Sequence, residues 1–100
     1  MKLRYTALAR EAIRHRHRWW LANRDKAPRL FADELKAVLE NIRSNTDAAR
    51  QRYAGHADAT VWRLLLPKTR HHVYYRRDPL TDAATVLLVE NAISETGPGL

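Results

Sequence analysis

The chain has 100 residues, 45% of them hydrophobic and 29% charged, which suits one globular domain over residues 1–100 and leaves no room for a separate cofactor domain. Cysteine is absent, which excludes a disulfide scaffold, a thiolate zinc site and a cysteine nucleophile. No apolar run reaches the roughly 20 residues of a membrane span, and the N-terminal residues do not resemble a signal peptide. We therefore expect a cytoplasmic protein without membrane association.

The net charge of +7 comes entirely from the first third of the chain. Residues 1–30 carry nine Lys or Arg against two acids, whereas residues 31–100 carry nine charges of each sign. Such a basic segment attracts polyanions and acidic protein segments over long distances. A solvated helix face, with arginine retained for solubility, explains the same pattern equally well.

The first 23 residues predict a strand and a helix. Residues 1–5 alternate apolar and basic side chains, as a short strand does. Thr6 is suited to cap the N-terminus of a helix over about residues 7–22, because its hydroxyl can accept from an unpaired backbone N–H. Asn23 suits the C-terminal cap.

A second helix carries the clearest periodicity in the chain. We expect it to open at Asp25, with Pro28 tolerated in its first turn, and to stop near residues 44–45. Its apolar positions follow the spacing of one helical face and are Phe31, Leu35, Val38, Leu39 and Ile42. Two helices joined by a short polar link indicate an antiparallel hairpin.

The second half of the chain predicts three strands. Residues 46–58 show no period and are expected to form an irregular connector. Strands follow over residues 61–66, 71–77 and 84–90, and an irregular tail covers about 91–100. The order β-α-α-β-β-β predicts a two-layer α+β domain in which the helical hairpin packs on a small antiparallel sheet.

Metal and cofactor sites are not indicated by the residue spacing. His15 and His17 do not share a helix face, and His71 and His72 point to opposite faces of a strand. Neither a glycine-rich phosphate loop nor a nucleophile elbow is present. We therefore predict no metal and no cofactor.

Basic and aromatic residues are concentrated on the predicted strands. By alternation His72, Tyr74 and Arg76 share one face, and Val73 marks the other face as the one that meets the helices, so we expect the first three to be exposed. Metal-independent RNA cleavage needs a base, an acid and cations near the phosphate. The candidate catalytic residues are His72, Tyr74, Arg63 and Arg76. A solvated strand with amphipathic tyrosines is the simpler interpretation.

Residues 63–75 (Arg-Leu-Leu-Leu-Pro-Lys-Thr-Arg-His-His-Val-Tyr-Tyr) resemble the strand-turn-strand of the RelE/ParE family of bacterial toxins. The helix sequence Phe31-Ala32-Asp33-Glu34-Leu35 resembles the second helix of the same family, and the tail Gly97-Pro98-x-Leu100 is similar to the family's C-terminal ending. The resemblance implies the toxin of a type II toxin–antitoxin pair, with growth inhibition, plasmid stabilisation and a neutralising cognate antitoxin.

Two mechanisms are implied by this resemblance: ParE-like inhibition of DNA gyrase by binding, and RelE-like, ribosome-dependent cleavage of mRNA. The nuclease branch has two lysines where this chain has Arg63 and Leu65, and an arginine where it has His72. Gyrase inhibition is therefore the first hypothesis and mRNA cleavage the alternative. Ser94 and Thr96 replace two arginines of the subgroup, a change expected to weaken or redirect binding if those arginines contact the target.

The same interpretation assigns two binding surfaces. The expected target-binding residues are Lys68, Arg70, His72, Tyr74 and Arg76. The antitoxin is expected to dock beside the first helix, as a helix in a groove, through Arg10, Arg14, Arg18 and Trp19. Trp20 should pack inward and leave Trp19 partly exposed as an anchor. A basic nucleic-acid-binding or accessory protein without toxicity is a third hypothesis.

Overall fold

Two helices cover one face of a five-stranded sheet in the computed structural model, which describes residues 2–55, 60–78 and 80–93. The elements in chain order are β1 (Lys2–Tyr5), α1 (Ala7–Asn23), α2 (Leu30–Arg43), β2 (Gln51–Gly55), β3 (Thr60–Leu66), β4 (His71–Asp78) and β5 (Ala83–Asn91). The strands lie in the order β1-β5-β4-β3-β2. This arrangement confirms the predicted two-layer α+β class.

The sheet differs from the expected one in two respects. The connector over residues 46–58 contains a strand, β2, that pairs with β3. The register of this pair shifts between Arg52 and Ala54, and a bulge there removes the two-residue alternation by which a strand is recognised in a sequence. In addition, β1 runs parallel to β5, so the sheet is mixed rather than purely antiparallel.

Helix α1 begins at the predicted cap. Thr6 Oγ1 accepts a hydrogen bond from the backbone N–H of Ala9 and donates one to the carbonyl of Leu87, both at 3.0 Å. The first turn of the helix is therefore tied directly to β5. The C-terminal cap is Arg24, one residue beyond the expected Asn23. Neither described helix is long and apolar enough to cross a membrane.

Helix α2 begins at Leu30, five residues later than predicted. Residues 25–29 form turns, in which the N–H of Leu30 donates to the carbonyl of Ala27. Ala27 precedes Pro28, and the residue before a proline is disfavoured in the helical conformation. The expectation that Asp25 opens the helix is therefore wrong, although the apolar face of α2 is buried as its periodicity predicts.

The core lies between the helices and the sheet, with β4 at its centre. His71, Val73 and Tyr75 face the helices and are at most 1% exposed, which confirms the predicted alternation of β4. Trp20 is buried in this core and Trp19 is half-buried, as expected. The opposite side chains of β4, beginning with His72, therefore belong to the face that the helices leave uncovered.

A buried ionic cluster ties the segment after α2 to β4. Asp47 is 3% exposed and accepts hydrogen bonds from the Tyr75 hydroxyl and from Arg77 Nη2, the latter at 2.7 Å. Burial alone would raise the pKa of Asp47, but the bonds from Arg77 and Tyr75 outweigh it and hold that pKa below its ordinary value of 3.8. Asp47 is therefore a carboxylate at neutral pH, and it anchors the connector to the centre of the sheet.

Candidate functional site

The sheet face opposite the helices gathers several of the predicted site residues. The strand register places Arg63 of β3 directly opposite Tyr74 of β4, and Leu65 opposite His72. On the other side of β4, Glu90 lies opposite His72. We call the residues Arg63, Leu65, His72, Tyr74 and Glu90 the open-face cluster. Arg76 lies further along the same strand, opposite Thr85, and is exposed as expected.

Tyr74 is 3% exposed, so the expectation that it is accessible on this face is wrong. The ring of Tyr53, from the unpredicted strand β2, stands edge-on to it with centroids 4.9 Å apart. Burial raises the pKa of the Tyr74 hydroxyl above its ordinary value of 10.0, and neighbouring Arg63 opposes this shift without cancelling it. Tyr74 is thus a buried, neutral phenol that packs against the ring of Tyr53.

His72 is half-buried in the open-face cluster, as are Arg63 and Glu90. Burial lowers the pKa of its imidazole below 6.5, and the positive charges of Arg63 and Arg70 lower it further. The ring is therefore mostly neutral at pH 7 and able to accept a proton. Glu90 brings a carboxylate to the same place, and its buried Oε2 atom has no hydrogen-bond partner among the described residues.

The other predicted target-binding residues, Lys68 and Arg70, lie at the end of the sheet in the turn between β3 and β4. They line a cavity of about 190 Å³ that the C-terminal half of α1 completes with Arg16, Trp19 and Arg24. We call this the terminal cavity. The expected target-binding set is therefore divided between two places on the molecule.

A chain of hydrogen bonds forms one wall of the terminal cavity. Arg16 Nε donates to His71 Nε2 at 3.0 Å, so the proton of the neutral imidazole is on Nδ1, which is 3.1 Å from Thr69 Oγ1. Thr69 Oγ1 donates in turn to Glu34 Oε1 at 2.9 Å. Burial, with a smaller effect of Arg16, lowers the pKa of His71 to about 4.

Sequence reasoning did not find this chain because its members are scattered. Arg16 and His71 are 55 residues apart and lie on different kinds of element. A periodic pattern relates residues within one element, and no spacing rule links a helix residue to a strand that follows so much later. The sole signal was that His71 falls on the apolar side of β4.

A groove opens between α1, α2 and β1, with a volume of about 510 Å³. Its apolar lining consists of Leu3, Tyr5, Ile13, Phe31, Leu35 and Leu39. A second space of about 350 Å³ shares four of these side chains and is bordered by Arg10 and Arg14. Of the expected antitoxin surface, Arg10 and Arg14 thus flank an apolar groove. Arg18 is exposed on α1 outside the groove, and Trp19 lies at the terminal cavity.

Some expectations concern residues that the structure does not describe. Ser94, Thr96 and the Gly97-Pro98-x-Leu100 tail lie outside the described ranges. Within those ranges, no three His, Asp or Glu side chains come close enough together to hold a metal ion.

The arrangement of helices and strands can be compared with known proteins. No protein-family model and no curated protein matches the chain. A solved structure does match: a chain in the crystal structure of the archaeal RelE–RelB complex from Pyrococcus horikoshii, with a TM-score of 0.54, 11% sequence identity, and coverage of 91% of this chain and 93% of that chain. At this identity the likeness establishes the fold alone: this chain shares its fold with a chain of the RelE–RelB complex, in agreement with the fold that the resemblance of residues 63–75 implies.

Proposed function

We propose that this protein is the toxin of a type II toxin–antitoxin pair, that it inhibits DNA gyrase by binding, and that a cognate antitoxin neutralises it in the cytoplasm. The observation that carries this proposal is the fold shared over nine-tenths of the chain with a member of a RelE–RelB complex. The strand-turn-strand sequence of residues 63–75 supports it independently.

The open-face cluster favours binding over cleavage. Tyr74, the candidate acid, is covered, and Glu90 adds negative charge where an RNA phosphate would approach His72. Leu65 is 42% exposed beside these groups, and Arg76 is exposed on the same face. A surface that combines apolar side chains with arginine is typical of protein–protein interfaces.

The alternative function is metal-independent, ribosome-dependent cleavage of mRNA. His72 favours it, because a neutral imidazole beside Arg63 combines a base with a cation that would stabilise a phosphate. In this case His72 would accept the proton of a ribose hydroxyl, and a bound ribosome would supply further groups.

The two functions are separated by measuring gyrase supercoiling and primer extension on translating ribosomes with the same protein preparations. We expect the wild type to inhibit supercoiling and Arg76→Glu to weaken inhibition by about tenfold, because an interface arginine is replaced by the opposite charge. Arg29→Glu, an equal charge change before α2, is the control and should inhibit nearly as wild type does.

Codon-linked cleavage that is lost in His72→Ala would instead establish the nuclease, and absence of growth arrest on induction would exclude both.

We further propose that the groove between α1, α2 and β1 receives an amphipathic helix of the antitoxin. The apolar side of such a helix would cover the groove, and acidic residues on its flank would face Arg10 and Arg14. The excess of positive charge in the first 30 residues would accelerate this encounter.

Charge reversal at the groove tests this docking mode. In the double variant Arg10→Glu/Arg14→Glu, association with the product of an adjacent acidic reading frame should slow by about tenfold at low salt, because steering is lost. The difference should shrink as salt rises. Surface plasmon resonance measures both quantities.

Arg18→Glu is the matched control, since Arg18 lies on the same helix but does not border the groove. It should change the association rate by no more than about twofold. Equal slowing by Arg18→Glu would mean that net charge alone directs the antitoxin, and the groove would lose its proposed role.

A further inference from the structure

The terminal cavity combines a high density of positive charge with a lining that contains no acidic side chain among the described residues. Arg16, Arg24, Lys68 and Arg70 line it, together with the half-buried indole of Trp19. None of these four cations forms a salt bridge with a described carboxylate. Like charges that line one concave site repel one another, and a bound anion relieves that repulsion.

Arg16 is fixed in position without being neutralised. Its Nε–H donates to the neutral imidazole of His71, and its guanidinium carbon lies 4.9 Å from the centroid of the Trp19 ring. These contacts orient the fork, and neither terminal nitrogen donates to a described residue, so both can bind a ligand. Glu34, which lies behind this wall, accepts hydrogen bonds from the backbone N–H groups of Lys68 and Thr69 at 2.8 and 3.0 Å.

Arg70 occupies an unfavourable backbone position. Its φ of 61° lies in the left-handed region, where glycine or asparagine is preferred. Hydrogen bonds on both sides hold it there, from its own N–H to the Leu66 carbonyl at 2.9 Å and from the Ala92 N–H to its carbonyl at 2.8 Å. A cationic side chain at a position that suits glycine indicates that the charge is used.

Arg24 completes the basic rim from the C-terminal end of α1. Its guanidinium carbon lies 5.2 Å from the Trp19 ring centroid, and Nη1 donates to the carbonyl of Asn23 at 3.1 Å. The contacts of Arg24 with the end of α1 therefore explain part of its position. Lys68 and Arg70 reach the same cavity from the turn between β3 and β4, and those helix contacts do not explain why they lie there.

From this geometry we infer that the terminal cavity binds a phosphodiester group of a nucleic-acid strand. Planar guanidinium groups match the oxygens of a phosphate, and a volume of about 190 Å³ accommodates one such group while the strand continues along the exposed turn. The site is separate from the open-face cluster and from the apolar groove. The inference goes beyond the proposed function and does not depend on the identity of the toxin's target.

The test measures binding by the fluorescence anisotropy of three labelled probes. They are a ten-nucleotide single-stranded RNA, the DNA strand of the same sequence, and an acidic peptide of equal charge. The proteins are the full chain and the variant Lys68→Ala/Arg70→Gly. Glycine suits the φ of residue 70, so this variant removes two cations without disturbing the turn, and its melting temperature serves as the check on folding. Arg16→Gln is avoided because it would also remove the partner of His71.

We expect the double variant to bind the strand at least tenfold more weakly than wild type. Its affinity should also depend less on salt, so that the magnitude of the negative slope of log affinity against log salt falls by about 1. Arg29→Gln/Arg52→Gln, an equal loss of charge at two exposed residues that do not line the cavity, should weaken binding by less than threefold. Tighter binding of the RNA than the DNA would identify RNA as the source of the phosphate, and the reverse would identify DNA. Equal loss in both variants, or preference for the acidic peptide, would overturn the inference.

Discussion

Replacing Asp47 by alanine should destabilise the fold by about 3 kcal/mol, because it removes the shared partner of the buried Tyr75 hydroxyl and the half-buried Arg77 side chain. The Tyr75 hydroxyl would lose its acceptor, and Arg77 would lose its ion pair with Asp47 while its Nη2 atom keeps the hydrogen bond to the Ile42 carbonyl at 3.1 Å. The segment between α2 and β2 would lose its anchor as well. Urea denaturation at pH 7 measures the free energy of unfolding.

Asp25→Ala is the control for this prediction, since Asp25 is an exposed residue of the turn before α2. Its effect should stay within about 0.5 kcal/mol, the range of ordinary surface substitutions. A loss below about 1 kcal/mol in Asp47→Ala would mean that the cluster is replaced by water contacts and does not hold the connector.

Acidification between pH 6.5 and 4 should destabilise the protein by about 3 kcal/mol through His71 alone. The unfolded histidine binds a proton as the pH falls below 6.5, whereas the folded one stays neutral until about pH 4 because it is buried beside Arg16. Its share of the stability is therefore complete above pH 6.5 and is lost progressively towards pH 4. Urea denaturation in steps of half a pH unit records this slope.

In His71→Gln the slope between pH 6.5 and 4 should largely disappear, even if the variant is less stable at pH 7. His15→Gln, on the exposed surface of α1, controls for the loss of one histidine and should keep the wild-type slope. An unchanged slope in His71→Gln would show that another group causes the acid sensitivity.

The sequence predicts those parts of the fold that depend on a periodic pattern within one element. The apolar face of α2, the cap at Thr6 and the inward direction of His71 were predicted correctly, because spacing along the chain determines each of them. Strand β2 was missed because its bulge disturbs the alternation. The start of α2 was misplaced because the effect of Pro28 on the preceding residue outweighed the favourable cap.

The candidate site was less predictable, because it depends on contacts between distant residues. Alternation places His72, Tyr74 and Arg76 on one face correctly, but the burial of Tyr74 depends on Tyr53 from the missed strand. The terminal cavity unites α1 with the turn after β3, and the groove arises from how α1, α2 and β1 are placed relative to one another. Neither leaves a spacing signature in the sequence.

The parallel pairing of β1 with β5 affects how the protein is made. Lys2 pairs with Ala83 and Tyr5 with Val86, so the first strand waits for a partner synthesised about 80 residues later. At ordinary rates of translation that delay is roughly 4 to 16 s, during which β1 has no neighbouring strand; β4, once made, lacks one of its two neighbours until β5 follows. Nascent chains therefore cannot acquire the complete sheet while β5 is still inside the ribosomal tunnel.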